Sequence, residues 1–210
     1  MPLVFASISP HPPIILPSVG SSQDRAQVKN TIEALENLGK KLKEAKPDLI
    51  IISSPHPDWG FNVPLFFLAQ NFKGKIEPIL IGLEEPKFYF EEGKNLYLKI
   101  SRGPTPERTF ERVGIIASGD LSHCLKEEGP YGFHPDGPKF DKAFIEALKK
   151  KDIETILKLD EMYPEAGECG LSSFCFLLGI LKASGLNWQP EILSYEGPFG
   201  VGYLVANFKF

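Results

Sequence analysis

The chain has 210 residues, 42% of them hydrophobic and 24% charged, which is the balance of a folded globule of one domain or a tight pair and excludes disorder, collagen-like repeats and a disulfide scaffold. Its 23 Lys and Arg against 27 Asp and Glu give a net charge of −4, leaving no basic surplus to neutralise a nucleic-acid backbone. Three cysteines (Cys124, Cys169, Cys175), an N-terminus without a signal-peptide pattern, and no apolar run near the ~20 residues that span a bilayer point to a cytoplasmic chain with neither nucleic acid nor membrane as partner.

Residues 3–8 form a short apolar run closed by Ser-Pro-His-Pro-Pro, which reads as a buried strand and a loop. Over 24–45, Val28, Ile32, Leu35, Leu38 and Leu42 recur at helical spacing, with Asp24 or Ser22 as the expected cap and Pro47 as the stop. Residues 48–53 are almost continuously apolar, as in a parallel strand covered on both faces, and again end in Ser-Pro-His-Pro. A strand follows at 76–82, with Pro78 near its start or at a sheet edge. Residues 83–112 show no clear period and read as a connector with a short helix or strand near Tyr89 to Ile100.

Residues 113–118 are a further buried strand, ended by Gly119-Asp120-Leu121-Ser122-His123. Helices are expected at 139–150 and 152–160, then a small-residue loop at 164–170, an apolar helix at 171–184, and strands near 191–195 and 201–208. The alternation defines an α/β fold: a single domain over 1–210, with a central mostly parallel sheet flanked by helices.

The chemistry lies in the histidines. Ser9-Pro10-His11-Pro12 recurs as Ser54-Pro55-His56-Pro57, and both copies, like His123, directly follow a predicted strand. In an open α/β sheet the ligand crevice lies outside the carboxyl ends of the strands, so His11, His56 and His123 are expected at one rim. Flanking prolines remove backbone freedom around His11 and His56, which suits metal ligands. Two imidazoles and one carboxylate with open positions are the ligand set of non-haem Fe(II) oxygenases. The carboxylate candidates are Asp58, Asp120, Glu165 and Glu168. Asp58 is close enough in sequence to orient the His56 ring, Asp120 suits a loop cap or a partner of His123, and Glu168, among small residues, is the favoured ligand. Cys169 competes with it; a thiolate would shift the preference toward zinc or copper. Cys124 and Cys175 read as packing residues. His123 is placed as an acid/base, and His134 as a further catalytic or loop residue. No Gly-x-Gly-x-x-Gly, P-loop or Gly-x-Ser-x-Gly supports a nucleotide cofactor or a serine nucleophile.

The order Ser-Pro-His-Pro-Pro, Ser-Pro-His-Pro-Asp, Ser-Gly-Asp-Leu-Ser-His, Gly-Glu-Cys-Gly, and finally Tyr195-Glu196-Gly197-Pro198-Phe199-Gly200, resembles the class III extradiol dioxygenases of the LigB-like superfamily, including its Memo-like branch. The resemblance implies Fe(II) held by His11, His56 and Glu168, His123 as the acid/base, and a catecholic diol and O2 as substrates. It also implies that a copy or partner subunit completes the assembly. Cys169 beside Glu168 is a feature of the Memo-like branch, whose members imply metal binding or redox chemistry without ring cleavage.

Overall fold

The computed structural model describes residues 3–101 and 112–210. Strand β1 (Leu3–Ser9) is followed by α1 (Ser22–Gln27) and α2 (Lys29–Ala45), then β2 (Leu49–Ser54), α3 (Trp59–Leu68), β3 (Lys75–Leu80), α4 (Pro86–Ser101) and β4 (Val113–Ser118). Helices α5 (Asp136–Lys150), α6 (Ile153–Ile156), α7 (Leu159–Met162) and α8 (Leu171–Ser184) precede β5 (Gln189–Glu196) and β6 (Tyr203–Lys209). The strands form one six-stranded sheet in the order β3-β2-β4-β1-β6-β5. The first four are mutually parallel, and the β5–β6 hairpin joins β1 antiparallel. This is the expected single α/β domain with a mostly parallel sheet.

Helices α2 and α3 cover one face, packing Leu35, Leu38 and Val63 on Ile50, Ile52 and Ile116. Helices α4, α5 and α8 cover the other, with Phe140, Phe144 and Phe174 among its fully buried side chains. Burial on both faces is why β2 and β4 are apolar without alternation. Strand β3 is the exposed edge and tolerates Pro78, whose missing N–H breaks no central ladder.

Four local expectations are corrected. The helix expected over 24–45 is broken at Val28 into α1 and α2. The cap of α1 is Ser21, whose Oγ accepts the Asp24 N–H while Asp24 accepts the Ser21 N–H, so Asp24 reciprocates a cap instead of supplying it. The N-terminus of α2 is capped from far away: the Glu196 carboxylate accepts from Thr31 N at 2.8 Å, Thr31 Oγ1 at 2.6 Å and Asn30 Nδ2 at 2.7 Å. The expected connector at 83–112 holds α4, a 16-residue helix; its remainder, 102–111, lies outside the described residues. At α4 and α8 two glycines meet reciprocally. A Cβ on Gly93 would lie 2.0 Å from Phe176 O, and one on Gly179 would lie 2.0 Å from Phe90 O. Finally, the helix expected at 152–160 is two separate turns, α6 and α7.

Candidate metal centre

In the sheet order β2-β4-β1 the three histidine-bearing loops leave adjacent parallel strands at the same edge. The convergence expected from sequence is therefore built by topology. The His11 and His56 ring centroids are 5.2 Å apart. Donor atoms of His11, His56 and Cys169 all lie within 4.8 Å of one another, as do those of Asp120, His123 and Cys169. The two groups share the Cys169 sulfur.

His11 is buried, and both ring nitrogens have defined surroundings. Nδ1 lies 2.9 Å from Ser118 Oγ, and that hydroxyl donates its one hydrogen to the Gly60 carbonyl. Ser118 Oγ must therefore accept, so Nδ1 carries the proton and Nε2 presents a lone pair. That nitrogen is 3.5 Å from Cys169 Sγ and 3.7 Å from Asp120 Oδ2. Burial, reinforced by the nearby His56, lowers the His11 pKa to about 3, keeping the ring neutral. A neutral imidazole with an oriented free nitrogen is the form a metal requires.

His56 is half-buried. Its backbone N–H donates to Ser54 Oγ at 3.1 Å, and its ring lies 5.5 Å from that of Trp59. The Asp120 carboxylate accepts the His11 backbone N–H at 3.1 Å, and burial raises its pKa to about 6 against the opposing pull of His123. His123 lies 5.3 Å from the Tyr131 ring, and its Nε2 is buried without a hydrogen-bond partner among the described residues. Burial lowers its pKa, with Asp120 opposing. An orphaned buried nitrogen beside a carboxylate and a thiol is a fit for a ligand or proton that these side chains alone do not supply.

The Cys169 loop is drawn in by glycine. A Cβ on Gly119 would stand 2.3 Å from Gly170 Cα, and Gly170 N–H donates to Asp120 O at 3.0 Å. Without side chains at both positions, the Gly-Asp-Leu-Ser-His and Gly-Glu-Cys-Gly loops pack backbone to backbone. The Asp120 N–H points to Cys169 Sγ at 3.4 Å, and burial raises the thiol pKa well above its ordinary value.

The remaining sequence candidates fall elsewhere. Glu168, the favoured carboxylate, belongs to neither donor group among the described residues. Its Oε2 accepts the Leu171 N–H at 2.6 Å at the start of α8, and burial, with Asp160 adding, raises its pKa to about 7. It does line the adjacent cleft. Among the described residues it is Cys169 whose donor atom groups with those of the two histidines. Asp58 is exposed at the start of α3, where its carboxylate has no hydrogen-bond partner among the described residues, so it does not orient His56. His134 lies outside both groups and the cleft lining. Its Nδ1 accepts the Asp136 N–H at 3.2 Å, so its place supports a loop role over the expected catalytic one. Glu165 is exposed, and Cys124 and Cys175 are buried.

Sequence reasoning missed Ser118, which orients His11, and the Asp141–Tyr195 pair. Buried Asp141 on α5 accepts the Ser122 N–H at 2.8 Å and the Tyr195 OH at 2.6 Å. Ser122 Oγ in turn donates to Ala166 O at 2.7 Å, tying the His123 loop to the Cys169 loop. Burial raises the Asp141 pKa to about 7.

Beside the donors opens a cleft of about 640 Å³ lined in part by His56, His123, Tyr131, Glu168 and Cys169. Fold and site together define a class: an α/β domain that gathers imidazole, thiol and carboxylate donors at the carboxyl edge of its parallel strands, against an open cleft. Among the described residues no helix is long and apolar enough to cross a membrane.

The sequence profile described as the catalytic LigB subunit of aromatic ring-opening dioxygenase matches residues 5–57 and 53–206, and the chain belongs to this LigB family. Protein CA_C1420 of Clostridium acetobutylicum is 30% identical over 271 aligned positions that take in 95% of this chain. The chain spans only 56% of that relative's length. A crystal structure of uncharacterized protein JW3007 from Escherichia coli K12 superposes with a TM-score of 0.61, covering 97% of this chain and 99% of that one. At 12% identity that likeness shows the fold alone.

Proposed function

We propose that the chain is a non-haem ferrous-iron extradiol dioxygenase that opens the ring of an ortho-dihydroxylated aromatic next to the diol. Family membership supports oxidoreductase chemistry of this type. The single observation that carries the reading to this chain is the meeting of His11 and His56 at 5.2 Å beside the cleft that His123 lines. His11 and His56 would hold the metal, with Cys169 Sγ nearest as third donor and Glu168 as the carboxylate alternative. A bound ferrous ion supplies Lewis-acid and templating chemistry for diol and O2.

The residues do the rest. Ser118 holds His11 in the tautomer that offers Nε2. His123, whose pKa is lowered by burial, would take a proton from a diol hydroxyl and return it, and Asp120 would stabilise the charged ring in between. Tyr131 closes one side of that imidazole. Both atoms of O2 end in the ring-opened product, so the reaction needs no external reductant.

The test is oxygen consumption and formation of a yellow ring-opened product by iron-loaded protein across a panel of catechols. His123→Ala is expected to keep the metal and lose about 10²–10⁴-fold in turnover. No oxygen uptake with any catechol at verified iron occupancy refutes the reading. One observation favours a second reading. The thiol of Cys169, not the Glu168 carboxylate, joins the two histidines, and a thiolate suits zinc or copper as well as iron. On that reading the chain is a Memo-like metal-binding or redox protein without ring cleavage, and catechols are inert even at full metal occupancy.

A further inference from the structure

The cleft beside the donors has a one-signed wall. Glu84, Glu85, Asp160 and Glu168 all line it, and among its described lining residues there is no lysine or arginine. The Glu168 carboxylate accepts the Leu171 N–H and Asp160 Oδ1 accepts the Glu161 N–H at 2.9 Å, and Glu84, Glu85 and Asp160 have no ion-pair partner among the described residues. The chain carries 23 cationic side chains against 27 acidic ones, so a lining of carboxylates alone is a local segregation and not a reflection of overall charge.

The same wall carries apolar surface. Leu83 is fully exposed, and Tyr131 is two-thirds exposed while its ring faces His123. An aromatic face and an aliphatic side chain set among carboxylates with no cationic neighbour in the described lining complement a flat apolar body with a positive end. Carboxylates in a concave wall focus the field within the cleft, and a tyrosine face adds cation–π attraction.

We infer that the cleft selects an ortho-dihydroxylated aromatic whose side chain is cationic, an amine-bearing diol, and discriminates against a carboxylate-bearing one, with Glu84, Glu85 and Asp160 as the specificity-determining residues. This rests on the ring-opening reading of the site and names its substrate class. Reversing the substituent from −1 to +1 doubles the electrostatic difference, so a preference of about tenfold is expected at low salt.

The test uses three diols matched in size: 4-(2-aminoethyl)catechol, 4-ethylcatechol and 3,4-dihydroxyphenylacetate. Their affinities for the iron-loaded protein are measured by titration without oxygen, and product is then followed after oxygen is admitted. The amine is expected to bind about tenfold more tightly than the carboxylate, with the neutral diol between, and the gap to narrow at about 0.5 M salt. In Glu84→Gln/Glu85→Gln, and separately in Asp160→Asn, the amine-to-carboxylate ratio is expected to fall at least ~3-fold. Equal affinities, a reversed order, a ratio untouched by all these substitutions, or no binding by any of the three overturns the inference. Retained charge order without product refutes ring cleavage alone, and product with the wrong order refutes the charge selection alone.

Discussion

Replacing Ser118 with alanine strips two buried groups of their partner at once. In the native chain the hydroxyl accepts from His11 Nδ1 and donates to Gly60 O, and Ser118 itself is fully buried. Each orphaned buried polar group costs ~1–3 kcal/mol, so Ser118→Ala is expected to lose about 2–6 kcal/mol, a large share of a typical stability of ~5–15 kcal/mol. The second consequence is chemical. Without the serine, Nε2 is no longer held as the free lone pair, and the loss of such an orienting partner lowers metal affinity ~10–100-fold. Urea unfolding followed by tryptophan fluorescence reads the first effect, and competition with a chelator reads the second. Stability within about 0.5 kcal/mol of the parent together with unchanged metal affinity would refute the tautomer argument, since ordinary surface substitutions fall in that range.

Other outcomes follow from the same geometry. Gly119→Ala places a methyl against Gly170 Cα, forces the two site loops apart, and is expected to cost ~1–3 kcal/mol in thermal or urea unfolding and to weaken metal binding; unchanged metal affinity would show that the loop contact is dispensable. Asp141 has a folded pKa of about 7, above its ordinary 3.8, so the stability linked to its protonated form is full below that value and is lost as pH rises through 7. The parent is therefore expected to lose up to about 4 kcal/mol relative to Asp141→Asn between pH 4 and 8, read as diverging melting temperatures; parallel pH profiles would contradict it. Glu168→Gln keeps one acceptor for the Leu171 N–H and is expected to shift stability by no more than ~1 kcal/mol in urea unfolding; a shift above about 3 kcal/mol would mean the carboxylate holds more than a helix start.

Much of the fold was legible because its central strands obey a simple rule. Strands buried on both faces are continuously apolar, and residues 3–8, 48–53 and 113–118 are so. The histidines were legible because each follows such a strand, and parallel strands place their following loops at one edge. Helix α4 was not. Its buried stripe runs Pro86, Tyr89, Phe90, Gly93, with Leu96, Tyr97 and Ile100 packed behind, and the glycine at its centre reads as a gap in the pattern until α8 is seen lying on it. The break at Val28 was equally hidden, because the acceptor that caps α2 is Glu196, more than 160 residues away in the chain.

The centre itself was half legible. Sequence spacing could offer Glu168 and Cys169 as neighbours but could not decide which one faces the histidines. That depends on the Gly119–Gly170 contact, which turns the thiol toward His11 while Glu168 turns to Leu171 N–H. Ser118 gave no signal because the last residue of a buried strand is identified as an orienting group only when its neighbours across the sheet are known.

In the proposed centre His11 and His56 grip one metal ion, with Cys169 as the nearest third donor. X-ray absorption on protein loaded with ferrous iron without oxygen, combined with metal analysis of the variants, tests it most directly. The expected result is one ion per chain with imidazole nitrogens and a sulfur at ~2.3 Å in its coordination sphere, metal lost in His11→Ala, His56→Ala and Cys169→Ser, and metal retained in Glu168→Gln. A parent chain that fails to hold iron, or one whose iron survives loss of both histidines, would contradict it.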